Sequence, residues 1–153
     1  MSAPITQDVH TIPRKLPAGP VNLIGLTRDG LREALIAAHS ELVYFDCVAA
    51  EAASAAVRRL HEKGRFADVP ALLERLQTQA PRETLTWILP DTPRLYQAVL
   101  ELMRSSLGAL NFNDALIALA CQERGIPAIA SFDPDFDSIT WLRRLARPED
   151  LGS

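Results

Sequence analysis

An α/β sandwich built on a mainly parallel sheet is the fold class this sequence predicts, and three observations predict it. Short apolar runs alternate with longer segments whose apolar residues recur every three to four positions, the signature of strands alternating with helices. The order runs strand, helix, helix, strand, helix, helix, strand, and long crossovers of that kind join parallel strands. The chain has 153 residues, 48% of them hydrophobic and 23% charged. That is the size of one compact domain with enough apolar surface to bury a core.

The elements follow in order. Residues 1–20 carry Pro4, Pro13, Pro17 and Pro20 in a polar stretch. Proline removes a backbone donor and restricts the residue before it, so an irregular arm is expected. Residues 21–26 form a short apolar run, a strand candidate, and Gly30 introduces a helical pattern at Leu31, Leu35 and Ile36. Residues 42–45 are β-rich. Residues 48–63 read as an alanine-rich helix that stops at Gly64, and residues 69–77 as a second helix with Leu72, Leu73 and Leu76 on one face.

Residues 84–89 form the next strand candidate, closed by Pro90. Thr92 is placed to cap a long helix with Pro93 at its first position and Leu95, Val99, Leu102 and Met103 on its apolar face. Asn113 is placed to cap a helix over residues 114–124, apolar on nearly every side and therefore expected to be buried. Residues 126–130 form the last strand candidate.

Several function classes are excluded. A net charge of −3 argues against a wholly basic nucleic-acid surface, though a local basic patch remains compatible with RNA. Cys47 and Cys121 form no CxxC pair, and His10, His39 and His61 are scattered, so no zinc site is expected. Both cysteines fit small buried residues of a cytoplasmic protein. No apolar run is long enough for a bilayer and the N-terminus has no hydrophobic signal core, so neither a membrane partner nor secretion is expected.

The chemistry-bearing candidates are acidic. In an open α/β sheet, ligands sit at the carboxyl ends of the strands. Asp133 follows the last strand candidate, Asp114 opens a buried helix, and Glu51 lies early in the helix after the 42–45 run. All three are expected at one edge of the sheet. Converging carboxylates repel one another unless a hard divalent cation, Mg²⁺ or Mn²⁺, holds them together. Each also has a plain structural alternative: Asp114 as a helix cap, Glu51 as a solvated charge, Asp133-Pro134-Asp135 as a turn. A calcium-loop reading of Asp133, Asp135 and Asp137 fails, because Ser138 stands where such a loop needs glycine and Arg144 where it needs glutamate. Arg143, Arg144 and Arg147 are candidates either for phosphate contact or for a solvated basic face.

The ordered combination is more specific than its parts. Asn111-Phe112-Asn113-Asp114-Ala115-Leu116-Ile117-Ala118-Leu119-Ala120, followed by Gly125-Ile126-Pro127-Ala128-Ile129-Ala130-Ser131-Phe132-Asp133-Pro134-Asp135-Phe136-Asp137, closely resembles the C-terminal half of PIN domains, including the VapC toxins of bacterial toxin–antitoxin pairs. Upstream, Val48-Ala49-Ala50-Glu51 and Arg58-Arg59-Leu60 resemble the same family, so the resemblance spans residues 42–145. It implies a three-layer sandwich and metal-dependent hydrolysis of RNA phosphodiester bonds. It also implies Glu51, Asp114 and Asp133 as metal-site carboxylates, Asp135 as an accessory one, and Ser131 as a hydrogen-bond partner of a carboxylate or metal-bound water. RNA, an antitoxin protein and a second copy of the chain are the partners it implies.

The opening departs from that pattern. The family begins with a strand ending in aspartate, and neither Asp8, Asp29 nor Asp46 stands in such a context. Instead, Ile12-Pro13-Arg14-Lys15-Leu16-Pro17 and residues 21–38 resemble the leader of bacterial 23S rRNA adenine-C2 methyltransferases. That family needs a three-cysteine iron–sulfur motif, which two separated cysteines do not supply. The expectation is an arm and helix of foreign character over 1–40 joined to a PIN-like domain over 41–153. The first strand of that domain is missing or substituted, and residues 21–26 either fill its place or stay outside. The functional expectation is a PIN-type endoribonuclease; the alternative is a catalytically impaired remnant that only binds or self-associates.

Overall fold

The computed structural model describes residues 30–152. The proline-rich arm, the 21–26 run, Asp8 and Asp29 lie outside the described residues. Within them the order is α1 (Leu31–Ala37), β1 (Tyr44–Phe45), α2 (Asp46–Glu62), α3 (Val69–Gln79), β2 (Leu85–Thr86), α4 (Thr92–Ser105), α5 (Phe112–Glu123), β3 (Ala128–Ala130) and β4 (Arg143–Leu145), with short 3₁₀ turns between them.

Both strand pairings are parallel, as the crossover order predicts. Tyr44 lies opposite Leu85 and Phe45 opposite Thr86. Ala128, Ile129 and Ala130 lie opposite Arg143, Arg144 and Leu145. Successive strand residues face opposite sides, and the packing shows it. Phe45 and Ile129 belong to the large core with Val99, Leu116 and Ile117 of α4 and α5. Tyr44 and Ala130 face the other way, onto Leu31 and Leu35 of α1, together with Leu145. Helices therefore cover both faces, which makes the three layers.

The two strand pairs are separate two-stranded sheets, and no strand among the described residues bridges them. The elements flanking the gap are tied together by α1, whose cluster takes side chains from β1, β3 and β4. The helix attributed by sequence to the N-terminal segment thus packs onto the strands of the domain.

Sequence signals fixed some boundaries and missed others. Helix α2 ends where Gly64 predicts: Gly64 takes φ of 67°, its N–H bonds His61 and that of Arg65 bonds Leu60. That paired closure satisfies the last free carbonyls of the helix. The caps of α4 and α5 correct the sequence reading. Thr92 is the first residue of α4, and its buried hydroxyl has no hydrogen-bond partner. Asn111, not Asn113, caps α5: its side chain accepts from the Asp114 N–H at 2.9 Å, while Asp114 accepts from the Asn111 N–H at 3.3 Å. This reciprocal box satisfies two helix donors at once. The strand over 84–89 shortens to two residues, because the chain turns at Leu89–Asp91. Leu73 and Ile36, placed by periodicity on apolar faces, are exposed.

Strand β4 was not anticipated. Its sequence, Arg-Arg-Leu, has too little apolar content to register as a strand, and only pairing with β3 makes it one. Cys47 and Cys121 are buried and in no disulfide, as expected of small core residues. No helix of the described residues is long and apolar enough to cross a membrane.

Candidate active site

Helix α5 is nearly all buried, with Ala115, Leu116, Ile117, Ala118, Ala120 and Cys121 sealed in the core. It returns to β3 through a tight turn, with Ile126 N–H bonded to the Cys121 carbonyl at 2.9 Å. A helix that folds back directly onto the next strand starts where that strand ends. Asp114, in the first turn of α5, is thereby brought to the carboxyl edge of β3, the edge from which Asp133 emerges.

Glu51 lies in the second turn of α2, just past the carboxyl end of β1. Its Oε1 accepts a hydrogen bond of 2.7 Å from Asn113 Nδ2. This contact joins α2 to the N-terminus of α5 and sets Glu51 beside the residue that precedes Asp114. Asn113, expected as the cap of α5, instead bridges two helices. Asp114 itself is 7% exposed and faces the helix end that stabilises its charge.

Asp133 is held differently. The Ser131 hydroxyl accepts from the Asp133 backbone N–H at 3.1 Å, and Asp133 Oδ1 accepts from the Asp135 N–H at 2.9 Å. Asp133 thus caps the short Pro134–Ser138 turn, the plain alternative considered for it. Ser131 is buried and bonds a backbone N–H rather than a carboxylate. Asp135 is exposed. Among the described residues, no three His, Cys, Asp or Glu side chains gather into a group that could hold a metal ion. Glu51 and the start of α5 are brought together; a three-carboxylate cage with Asp133 is not formed.

The arginines after the acidic turn are already engaged. Arg144 forms a two-pronged pair with Asp137, both bonds at 2.8 Å, and donates to the Ser131 carbonyl at 3.3 Å. The Arg144 guanidinium holds the Asp137 carboxyl below its ordinary pKa. Arg143 donates to the Asp150 carbonyl, and Arg147 pairs with Asp150 at 3.5 Å. A phosphate at this face would compete with these partners.

Two further features emerge only in the fold. Asp46, 4% exposed, directs its carboxylate at the backbone of the 88–89 turn. It accepts from the Ile88 N–H at 2.9 Å and from the Leu89 N–H at 3.1 Å, besides the Cys47 N–H at 3.0 Å. An aspartate ending an apolar run and starting a helix was the available signal, but nothing in sequence names partners forty residues away. The second feature is a cavity of about 470 Å³ beside Glu51, lined by Ala50, Ser54, Ala55, Arg58, Leu89 and Asn113 among others.

Comparison with known proteins meets this geometry from two directions. The family model described as "PIN domain" matches residues 25–142. The N-terminal segment instead matches proteins named "Dual-specificity RNA methyltransferase RlmN". The protein of Jannaschia sp. (strain CCS1) is 84% identical over 37 residues, which is 24% of this chain and 9% of that relative. Those of Roseobacter denitrificans and Ruegeria pomeroyi are 81% and 72% identical over 36 residues, again 24% of this chain and 9% of each relative. The chain therefore spans about a tenth of the length of these curated relatives. No solved structure matches.

Proposed function

The chain belongs to the PIN domain family, a family of nuclease-type domains, and on that premise we propose that it is a metal-dependent endoribonuclease of the VapC toxin type, hydrolysing RNA phosphodiester bonds. The observation that carries this reading is the Asn113–Glu51 hydrogen bond of 2.7 Å. It places the carboxylate of one crossover helix against the start of another, where Asp114 lies.

The donor chemistry fits a divalent ion that arrives with substrate better than one resident in a protein cage. Mg²⁺ keeps several waters and is commonly held by one or two carboxylates plus substrate phosphate oxygens. Glu51 and Asp114 would supply those carboxylates, and this reading assigns Asp133 and the accessory Asp135 to the same ion. Mg²⁺ or Mn²⁺ bound there would polarise a phosphoryl oxygen and lower the pKa of a bound water. The residues' own part is orientation: Asn113 fixes Glu51, the capping box fixes Asp114, and Ser131 fixes the backbone of Asp133. An antitoxin protein and a second copy of the chain are the further partners this reading implies.

A second reading, a catalytically impaired remnant that still binds, is favoured by one observation. Each of the three carboxylates already accepts a protein N–H, and no three-ligand group forms among the described residues. Small errors in placing a nucleophile cost large rate factors.

Incubation of the full chain with RNA and Mg²⁺ or Mn²⁺ decides between them. The ribonuclease reading expects cleavage that EDTA abolishes and that Asp114→Asn lowers about a hundredfold or more, the scale of losing a charged metal ligand. Cleavage that survives both treatments discards it, and an inert parent chain supports the impaired reading.

A further inference from the structure

The cavity beside Glu51 has a cation that no group of the described residues claims. Arg58 lines it together with Glu51, Ser54, Ala55 and Leu89. Residues 51, 54, 55 and 58 fall at helical spacing on one face of α2. Arg58 is exposed and forms no ion pair or hydrogen bond with any described residue, whereas Arg143, Arg144 and Arg147 are all engaged. Ala50, Ala55 and Ser54 are small, which leaves the volume open in front of the guanidinium.

Glu51 and Arg58 are seven residues apart, about 10.5 Å along the helix axis. They therefore address different groups of a bound strand. The cavity volume, about 470 Å³, lies in the range of roughly 300–1,000 Å³ typical of small-molecule sites, enough for one nucleotide unit. Leu89, Ala50 and Cys47 give it an apolar wall, and Arg58 gives it the charge and forked donors that suit a phosphate.

Resting on the ribonuclease reading above, we infer that this cavity seats the RNA nucleotide next to the bond addressed at Glu51, with Arg58 holding its phosphate. Arg58 is thus a positioning residue for the substrate and takes no part in the hydrolysis itself.

The test is equilibrium binding of a short, fluorescein-labelled single-stranded RNA of randomised sequence to the full chain in EDTA, followed by anisotropy over a salt series. Arg58→Ala is compared with Arg59→Ala, a neighbour on the same helix with the same charge and turned about 100° away. A charge-assisted phosphate contact predicts about a tenfold loss of affinity for Arg58→Ala. It also predicts a salt dependence shallower by about 0.7, the value for one single-stranded phosphate contact. Arg58→Lys should restore part of the affinity, and Arg59→Ala should weaken binding far less. Equal effects of the two alanine variants on affinity and salt slope overturn this inference alone. Absence of RNA binding by the parent chain in EDTA also overturns this inference alone, and the cleavage assay above judges the ribonuclease reading separately.

Discussion

Replacing Asp46 with alanine removes the acceptor for three backbone N–H groups at once. Ile88 is fully buried, so its N–H has no water to turn to. A hydrogen bond to a charged group contributes about 1.5–3 kcal/mol, and a stranded buried donor costs about 1–3 kcal/mol. Leu89 is 43% exposed, so its N–H regains solvent and adds less. Asp46 also stands in the first turn of α2, where its charge contributes about 0.3–1 kcal/mol against the helix dipole. Relief of the buried carboxylate's desolvation offsets part of this total. The expected net loss for Asp46→Ala is about 2–4 kcal/mol, weighing these terms together. Asp46→Asn keeps an oxygen for Ile88 but turns an amide donor toward Leu89, so an intermediate loss is expected. Urea denaturation followed by circular dichroism measures both through the midpoint and slope. A loss below about 1 kcal/mol for alanine, or asparagine as damaging as alanine, would refute the reasoning. Leu89 also walls the cavity beside Glu51, so a loosened 88–89 turn should weaken RNA binding by the Asp46→Ala chain.

Two further predictions concern the packing around the site. The Asp137–Arg144 pair lowers the Asp137 pKa, so its stabilisation is fully present above the ordinary carboxylate value of about 3.9 and is lost as pH falls below it. The urea midpoint difference between the parent and Asp137→Asn should therefore stay flat from neutral pH down to that value and shrink below it; a difference that grows on acidification contradicts the pair's contribution. Trp141 Nε1 donates to the Ala118 carbonyl at 3.1 Å across to the buried helix α5. Trp141→Phe removes the donor together with the five-membered ring of the indole and should cost about 1 kcal/mol or more by urea denaturation, and an unchanged midpoint would show that the bond contributes nothing.

The layered fold was legible because it rests on local patterns. Helix α5 is apolar on nearly every side and could only be a core helix; α2 stops at Gly64 because a left-handed residue closes it. Crossover order likewise implied parallel pairing, which both strand pairs show. What sequence could not supply were partners chosen at long range. Asn113 looks like a cap, and only the approach of α2 makes it the donor to Glu51. Asp46 looks like another helix-start aspartate, and only the 88–89 turn makes it a buried clamp. Residues 143–145 read as a basic face, and only the open edge of β3 makes them a strand.

The composition, the run order and the motif around Asp114 and Asp133 by themselves determined the α/β class, the family and the residues to test. The tertiary structure alone decided how those residues are used. It paired Arg144 with Asp137, turned Asp133 into a cap, left Arg58 facing a cavity, and split the described strands into two pairs beneath α1. The physical reason is the range of the forces involved. Periodicity and capping act over a few residues and are written in the chain, whereas hydrogen-bond partners, ion pairs and sheet neighbours are chosen by whichever groups packing brings within about 3 Å.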